Sequence, residues 1–186
     1  MSKAQLTRET LLPMMAAHVL ARGLGGASLR PLAKAAGTSD RMLIYHFGNK
    51  ERLIADLLEY VAQVYSERLD AGMGQERALT RQEVVARVMA QAGDPAMRPF
   101  MALWWEIVAG AARGVSGYRE AAEAMMARLL EWLEGQMPAD DPDPAGGARY
   151  LLTLIEGSLM LGTVGHARTA RAGLHAALLA GGAEGD

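Results

Sequence analysis

The sequence predicts an all-α protein made of two helical domains, residues 1–52 and 53–186. Two observations carry that expectation. Apolar residues recur at three- and four-residue spacing along nearly the whole chain, and no run alternates apolar with polar residues under β-branched enrichment, as a half-buried strand does. Between Ser28 and Phe47, moreover, the predicted helices shrink to about two turns each, whereas the helix that opens at Lys50 is long.

The first helix is expected over residues 5–22, with Leu12, Met15, Ala16, Val19 and Leu20 on a shared face and Gly23 as its stop. Pro13 lies inside it, which predicts a kink or a late start to regular helix. Ser28 is then a suitable N-cap, Pro31 fits a first turn, and Leu29, Leu32, Ala33 and Ala36 form a stripe that ends at Gly37. After Gly37, Thr38 and Ser39 a second short helix spans residues 40–46, with Leu43 and Phe47 one turn apart. Gly48 closes it, and Asn49 caps the long helix beginning Lys50-Glu51-Arg52-Leu53. Two short helices joined by a three-residue turn containing glycine, and braced by neighbours, form a helix-turn-helix. A helical hairpin with no nucleic-acid role has the same local pattern.

Charge and composition narrow the functional classes. The 186 residues include 19 Lys+Arg and 21 Asp+Glu, giving a formal net charge of -2, with 51% hydrophobic residues and no Cys. The missing cysteines remove disulfide scaffolds, Cys-ligated zinc, iron–sulfur clusters and thiol nucleophiles. The first ten residues hold no apolar leader and the longest uncharged stretches, such as residues 10–21, run to 12, so a cytoplasmic protein with no membrane span is expected. Residues 1–60 carry eight basic side chains against five acidic, while the remaining 126 are net acidic by five. Either only the first third meets a polyanion, or the surplus is compositional scatter.

Residues 23–58, GLGGASLRPLAKAAGTSDRMLIYHFGNKERLIADLL, resemble the DNA-binding domain of the tetracycline-repressor (TetR) family of bacterial transcription regulators. The resemblance is carried by Arg22-Gly23, the Ser28 cap, LAKAAGTS at 32–39, LIYHF at 43–47 and GNKERL at 48–53. It implies a homodimer on double-stranded DNA, placing the 40–46 helix in successive major grooves of a palindromic operator. It also implies repression relieved when a small molecule binds the C-terminal ligand-binding and dimerisation domain.

Within that frame Arg41 either reads a guanine edge with its guanidinium or holds a phosphate. Tyr45 and His46, ending the helix, are candidates for backbone contacts, with a packed or solvated imidazole as the alternative for His46. Lys50 and the free amides at its helix start can hold a phosphate together. Ser28, Thr38 and Ser39 are placed for phosphate contacts or for capping and turn formation alone. Asp40, Met42 and Ile44 depart from the commoner family pattern. Asp40 could accept from cytosine N4, favour its helix N-terminus or pair with an Arg; Met42 or Ile44 could touch a thymine methyl, with Ile44 the better core residue.

Beyond Leu53 the long helix is expected to reach about residue 70, with a break over 71–74, followed by helices at 81–91, 97–113 and 117–136. Met101, Trp104, Trp105, Glu106 and Met125 are the candidate ligand residues, because Met adapts to irregular shapes and Trp offers stacking surface; the same stripe also suits an ordinary core. An inward Glu106 would be a costly lone carboxylate suited to a cationic or hydrogen-bonding ligand. Residues 138–147 are expected to form a loop before helices at 148–166 and 169–180, and residues 181–186 a disordered tail. Ser158, Gly162 and Gly165, flanked by Leu154 and Leu161, form a small-residue stripe suited to a dimer interface or to packing within the chain.

Two rivals compete with a regulator. An all-α enzyme is disfavoured because His18, His46, His166 and His175 show no metal-ligand spacing and no phosphate-cradling glycine loop is present, so neither metal nor cofactor is expected. A small-ligand carrier that has lost DNA binding is favoured only by Asp40, Met42 and Ile44.

Overall fold

A computed structural model describes residues 7–74 and 76–180, and among them every regular element is helical. The elements are α1 (Arg8–Arg22), a 3-10 turn (Leu24–Gly26), α2 (Leu29–Ala35), α3 (Asp40–Phe47), α4 (Lys50–Met73), α5 (Arg81–Ala92), a second 3-10 turn (Pro95–Met97), α6 (Arg98–Ala112), α7 (Tyr118–Gly135), α8 (Pro144–Thr163) and α9 (Ala167–Ala180). The all-α class expected from periodicity is therefore the fold observed. The chain divides into two compact units, one built from Met1–Glu67 and Pro95–Met126, the other from Arg68–Asp94 and Ala127–Asp186. Residues 7–52, the described part of the segment expected to bind DNA, fall in the first.

In the first unit α1 starts at Arg8 because Thr7 and Thr10 exchange side-chain and backbone hydrogen bonds, a reciprocal cap. Residue 5, where the helix was expected to begin, lies outside the described residues, and Pro13 sits inside the helix. The core is made by Leu11, Met15 and Val19 of α1, Leu32 of α2, Leu43 and Phe47 of α3, Leu53 and Leu57 of α4, and Leu103 and Ile107 of α6, all nearly inaccessible to solvent. These are the i, i+3, i+4 faces that periodicity marks, so burial of one face per helix holds the unit together.

The second unit packs Val84, Val85 and Val88 of α5 against Leu133, Met137, Ala148, Leu151 and Ile155. Its connections are tied by arginines. Arg81 makes a bidentate pair with Asp141, at 2.8 and 2.7 Å, and reaches the Asp143 carbonyl at 3.1 Å. Arg77 donates to the Met137 carbonyl at 2.6 Å, and the Trp132 indole donates to the Asp70 carboxylate.

The structure departs from the sequence expectation at both ends of α8. The segment 138–147 is not all loop: α8 begins at Pro144, with Pro in the first turn and the Asp143 carboxylate accepting from the Gly146 amide at 2.9 Å. Its two glycines are helical, and a Cβ at Gly147 would fall 2.8 Å from the Arg81 guanidinium and displace it. The far end of α8 also stops earlier, at Thr163. The amides of Gly165 and His166 bond back to the carbonyls of Gly162 and Leu161, a Schellman closure. The stripe drawn through Ser158, Gly162 and Gly165 therefore does not exist as one helical face. Gly165 lies beyond the helix, and Ser158 is buried within the chain. The tail at 181–186, expected to be disordered, lies outside the described residues.

Candidate nucleic-acid interface

The turn between α2 and α3 is built by backbone chemistry. The Gly37 amide bonds to the Lys34 carbonyl (3.2 Å) and the Thr38 amide to the Ala33 carbonyl (2.9 Å), the paired closure that requires a left-handed residue between them. Gly37 supplies it at φ +63°, where a Cβ would be strained. Ser39 then caps α3, its hydroxyl accepting from the Met42 amide at 3.3 Å, and the Asn49 side chain caps α4 by accepting from the Arg52 amide at 2.8 Å. Ser28 stands at the N-cap of α2, but its hydroxyl makes no capping bond and is exposed.

Burial of Leu43 and Phe47 sets the rotation of α3. With about 100° per residue, the outward arc is occupied by Arg41 and Tyr45, one turn apart, with Met42 beside them. Arg41 is exposed and Tyr45 is 78% exposed, an unusual position for an aromatic ring with no covering element in its own unit. Asp40 lies at the exposed start of the helix, while Met42 and Ile44 are half-buried and therefore partly committed to packing. Thr38 is half-buried, and Ser39 and Lys50 are exposed.

His46 is placed differently from the outward residues. It is half-buried, its ring meets Tyr45 edge-on at 5.3 Å, and its Nε2 is enclosed without a hydrogen-bond partner. Only the other ring nitrogen is left to face a phosphate. A residue that the sequence did not single out holds this end of α3. Arg8 donates to the His46 carbonyl at 2.7 Å, pairs with Asp56 at 3.1 Å, and sets its guanidinium 5.2 Å from the centre of the Phe47 ring. No local pattern marks Arg8, because its partners lie 38 to 48 residues away.

The candidate ligand residues do not share one face. Met101, Trp104 and Trp105 are neighbours on α6, but Glu106 is about 200° from Trp104 around the helix. Trp104 is buried; Met101, Trp105 and Met125 are half-buried. Glu106 is not a lone inward carboxylate: it accepts the Leu24 amide at 2.7 Å, just past the end of α1. Of the candidate interface residues, Leu154 packs against the core of the second unit, Leu161 is half-buried and Gly162 is exposed. Tyr150, Met160 and Val164 are exposed apolar residues at the same end of the chain. Among the described residues no group of three or more His, Cys, Asp or Glu could hold a metal, and no helix is long and apolar enough to cross a membrane.

Residues 15–57 match the family model of bacterial regulatory proteins, tetR family, a span that takes in the second half of α1, all of α2 and α3 and the start of α4. No curated protein sequence matches the chain. Among solved structures, one assigned to the TetR-family transcriptional regulators from Rhodococcus sp. superposes with a TM-score of 0.69 at 20% identity, covering 91% of this chain and 95% of that one. A TetR-type regulator from Streptomyces avermitilis gives a TM-score of 0.62 at 24% identity, over 94% and 98% of the two chains. The multidrug binding protein EbrR, solved with imidazole, gives 0.65 at 18% identity, over 92% and 89%. At such identities the likeness is one of fold, and it extends over both compact units.

Proposed function

The chain carries a tetR-family helix-turn-helix domain in a fold shared with TetR-family transcriptional regulators, and from that premise we propose that it is a cytoplasmic repressor acting as a homodimer. The outward Arg41–Tyr45 arc of α3 carries the reading. An exposed guanidinium and an exposed phenol one turn apart, on a helix braced behind by Leu43 and Phe47, have the chemistry to address base edges and the phosphates beside them. Arg41 reads a base, and Tyr45, Lys50, Ser28, Thr38 and Ser39 hold the sugar-phosphate backbone. Two copies related by a two-fold axis set their α3 helices about one DNA turn, roughly 34 Å, apart or somewhat more, and so select a palindrome.

Dimerisation is assigned to the α8–α9 end of the second unit. Leu161 and Gly162 remain in that surface, joined by Met160 and Val164, which are 46% and 61% exposed. A small molecule held near Met101, Trp105 and Met125 in the half-buried region of α6 and α7 relieves repression. That the similar EbrR binds multiple drugs agrees with such a role for the fold.

Selection of fragments from a random double-stranded DNA pool tests the function directly. Recovery of a palindrome is expected, and its affinity should fall about a thousandfold between 50 and 200 mM salt if six or more phosphates are held. A folded dimer that enriches no sequence at low salt would refute it.

A further inference from the structure

The first compact unit holds a cleft of about 290 Å3 that, among the candidate residues above, only Lys50 borders. The turn after α1 gives it Leu24 and Ala27, the first turns of α4 give it Lys50, Glu51 and Ile54, and the α6–α7 connection closes it with residues 115–118. Leu24 and Ala27 are buried apolar residues, so the floor is apolar. Tyr118 forms a fixed wall, since its ring lies where a Cβ on Gly110 would fall and thus rests directly against the α6 backbone. The volume is at the small end of ligand sites and suits a molecule of about ten non-hydrogen atoms.

One basic and one acidic side chain border the cleft. Lys50 and Glu51 are both exposed, both border it, and neither has an ion-pair partner among the described residues. Successive helical residues project about 100° apart, so the ammonium and the carboxylate are set to engage two separate groups rather than each other. An apolar floor beneath one free cation and one free anion complements a molecule that carries an acid and a base on an apolar body.

We propose that this cleft binds a small zwitterion of the α-amino-acid type with an apolar side chain. Its carboxylate meets Lys50, its ammonium meets Glu51, and its side chain covers Leu24, Ala27 and Ile54. The site shares one residue with the DNA reading: Lys50, assigned above to a phosphate, lies at the cleft, so the two ligands compete for one ammonium.

Calorimetric titration of the full chain without DNA tests this, so that its failure and the failure of operator selection are separate results. The probes are L-leucine, L-phenylalanine, 4-methylpentanoate, which lacks the ammonium, and 3-methylbutylamine, which lacks the carboxylate. One of the amino acids is expected to bind with a dissociation constant on the order of a millimolar, as suits so small a ligand. It should bind at least tenfold more tightly than either half-molecule. Glu51→Gln should weaken the amino acid about tenfold and leave 4-methylpentanoate unchanged, and Lys50→Gln should weaken the amino acid while sparing the amine. Both side chains are exposed, and circular dichroism confirms that the variants fold. Equal binding of the acid alone, indifference to both substitutions, or no heat from either amino acid at 10-fold above that concentration would overturn the proposal.

Discussion

Gly23 and the Glu106 carboxylate meet just past the end of α1. Gly23 has φ 73° and ψ 178°, a region that essentially only glycine occupies, so Gly23→Ala costs about 1–3 kcal/mol in backbone strain alone. A Cβ there would also occupy the position of the Glu106 carboxylate, whose Oε2 accepts the Leu24 amide. Because that carboxylate ends a flexible side chain, it would swing away and lose its bond rather than clash. A charge-assisted bond to a backbone amide contributes roughly 1.5–3 kcal/mol, and the lower figure suits this partly exposed one. Gly23→Ala should therefore cost about 3 kcal/mol and Glu106→Ala about 1.5 kcal/mol. The double variant loses the same bond only once, so it should fall short of the sum by about 1.5 kcal/mol. Urea denaturation of the four proteins, compared at equal m-values, measures the cycle. Additivity to within about 0.4 kcal/mol would refute the argument, since it would mean the carboxylate is not held against Gly23.

Four further substitutions have defined outcomes. Arg41→Ala should cost roughly 1–3 kcal/mol of operator affinity and relax preference at one base pair per half-site, whereas Lys50→Ala should weaken binding to every sequence and flatten the salt slope by about one unit per subunit, both read by fluorescence anisotropy. Asp141, with a side chain 2% exposed, is held below the usual carboxylate range first by its hydrogen bonds from Arg81; its ionised form thus stabilises the fold above the ordinary carboxylate pKa, and that contribution is lost as pH falls through the lowered value. Asp141→Asn should cost about 1.5 kcal/mol at pH 7, discounted because Arg81 is partly exposed, and thermal melts should show the deficit shrinking towards pH 3. Met160→Asp, on the surface assigned to dimerisation, should give a monomer in sedimentation velocity with its helical signal unchanged.

How far the sequence speaks depends on whether the determining interaction is local. The α2–α3 turn was readable because Gly37, Thr38 and Ser39 make it with bonds to residues no more than five positions away. The alternation of Leu43 and Phe47 with Arg41 and Tyr45 similarly fixes which arc of α3 is outward. The start of α8 was not readable in this way. Pro144 and two glycines read as a loop until Asp143 is seen capping the helix and Arg81, from another element, is seen resting against Gly147. Arg8 and Glu106 belong to the same class, since their partners are 38 to 82 residues distant. Composition marks them only as charged. Ser158 shows the limit from the other side, because a small polar residue on an apolar helix suits a subunit interface and a subunit core equally well, and only the observed burial decides.

The division of the first unit between Met1–Glu67 and Pro95–Met126 bears on how the protein is made. Core residues of α1 and α6 belong to one packed cluster, yet about eighty residues of chain separate them, so α1 emerges from the ribosome long before α6 exists. During that interval the nascent helix-turn-helix has an uncovered apolar flank, which is where chaperone engagement or misassociation would concentrate. An N-terminal fragment cut near residue 60 would be left permanently in that unfinished condition. Operator-binding studies on such a fragment would report on a half-built scaffold, and the smallest faithful surrogate for the DNA-binding element runs at least to Met126.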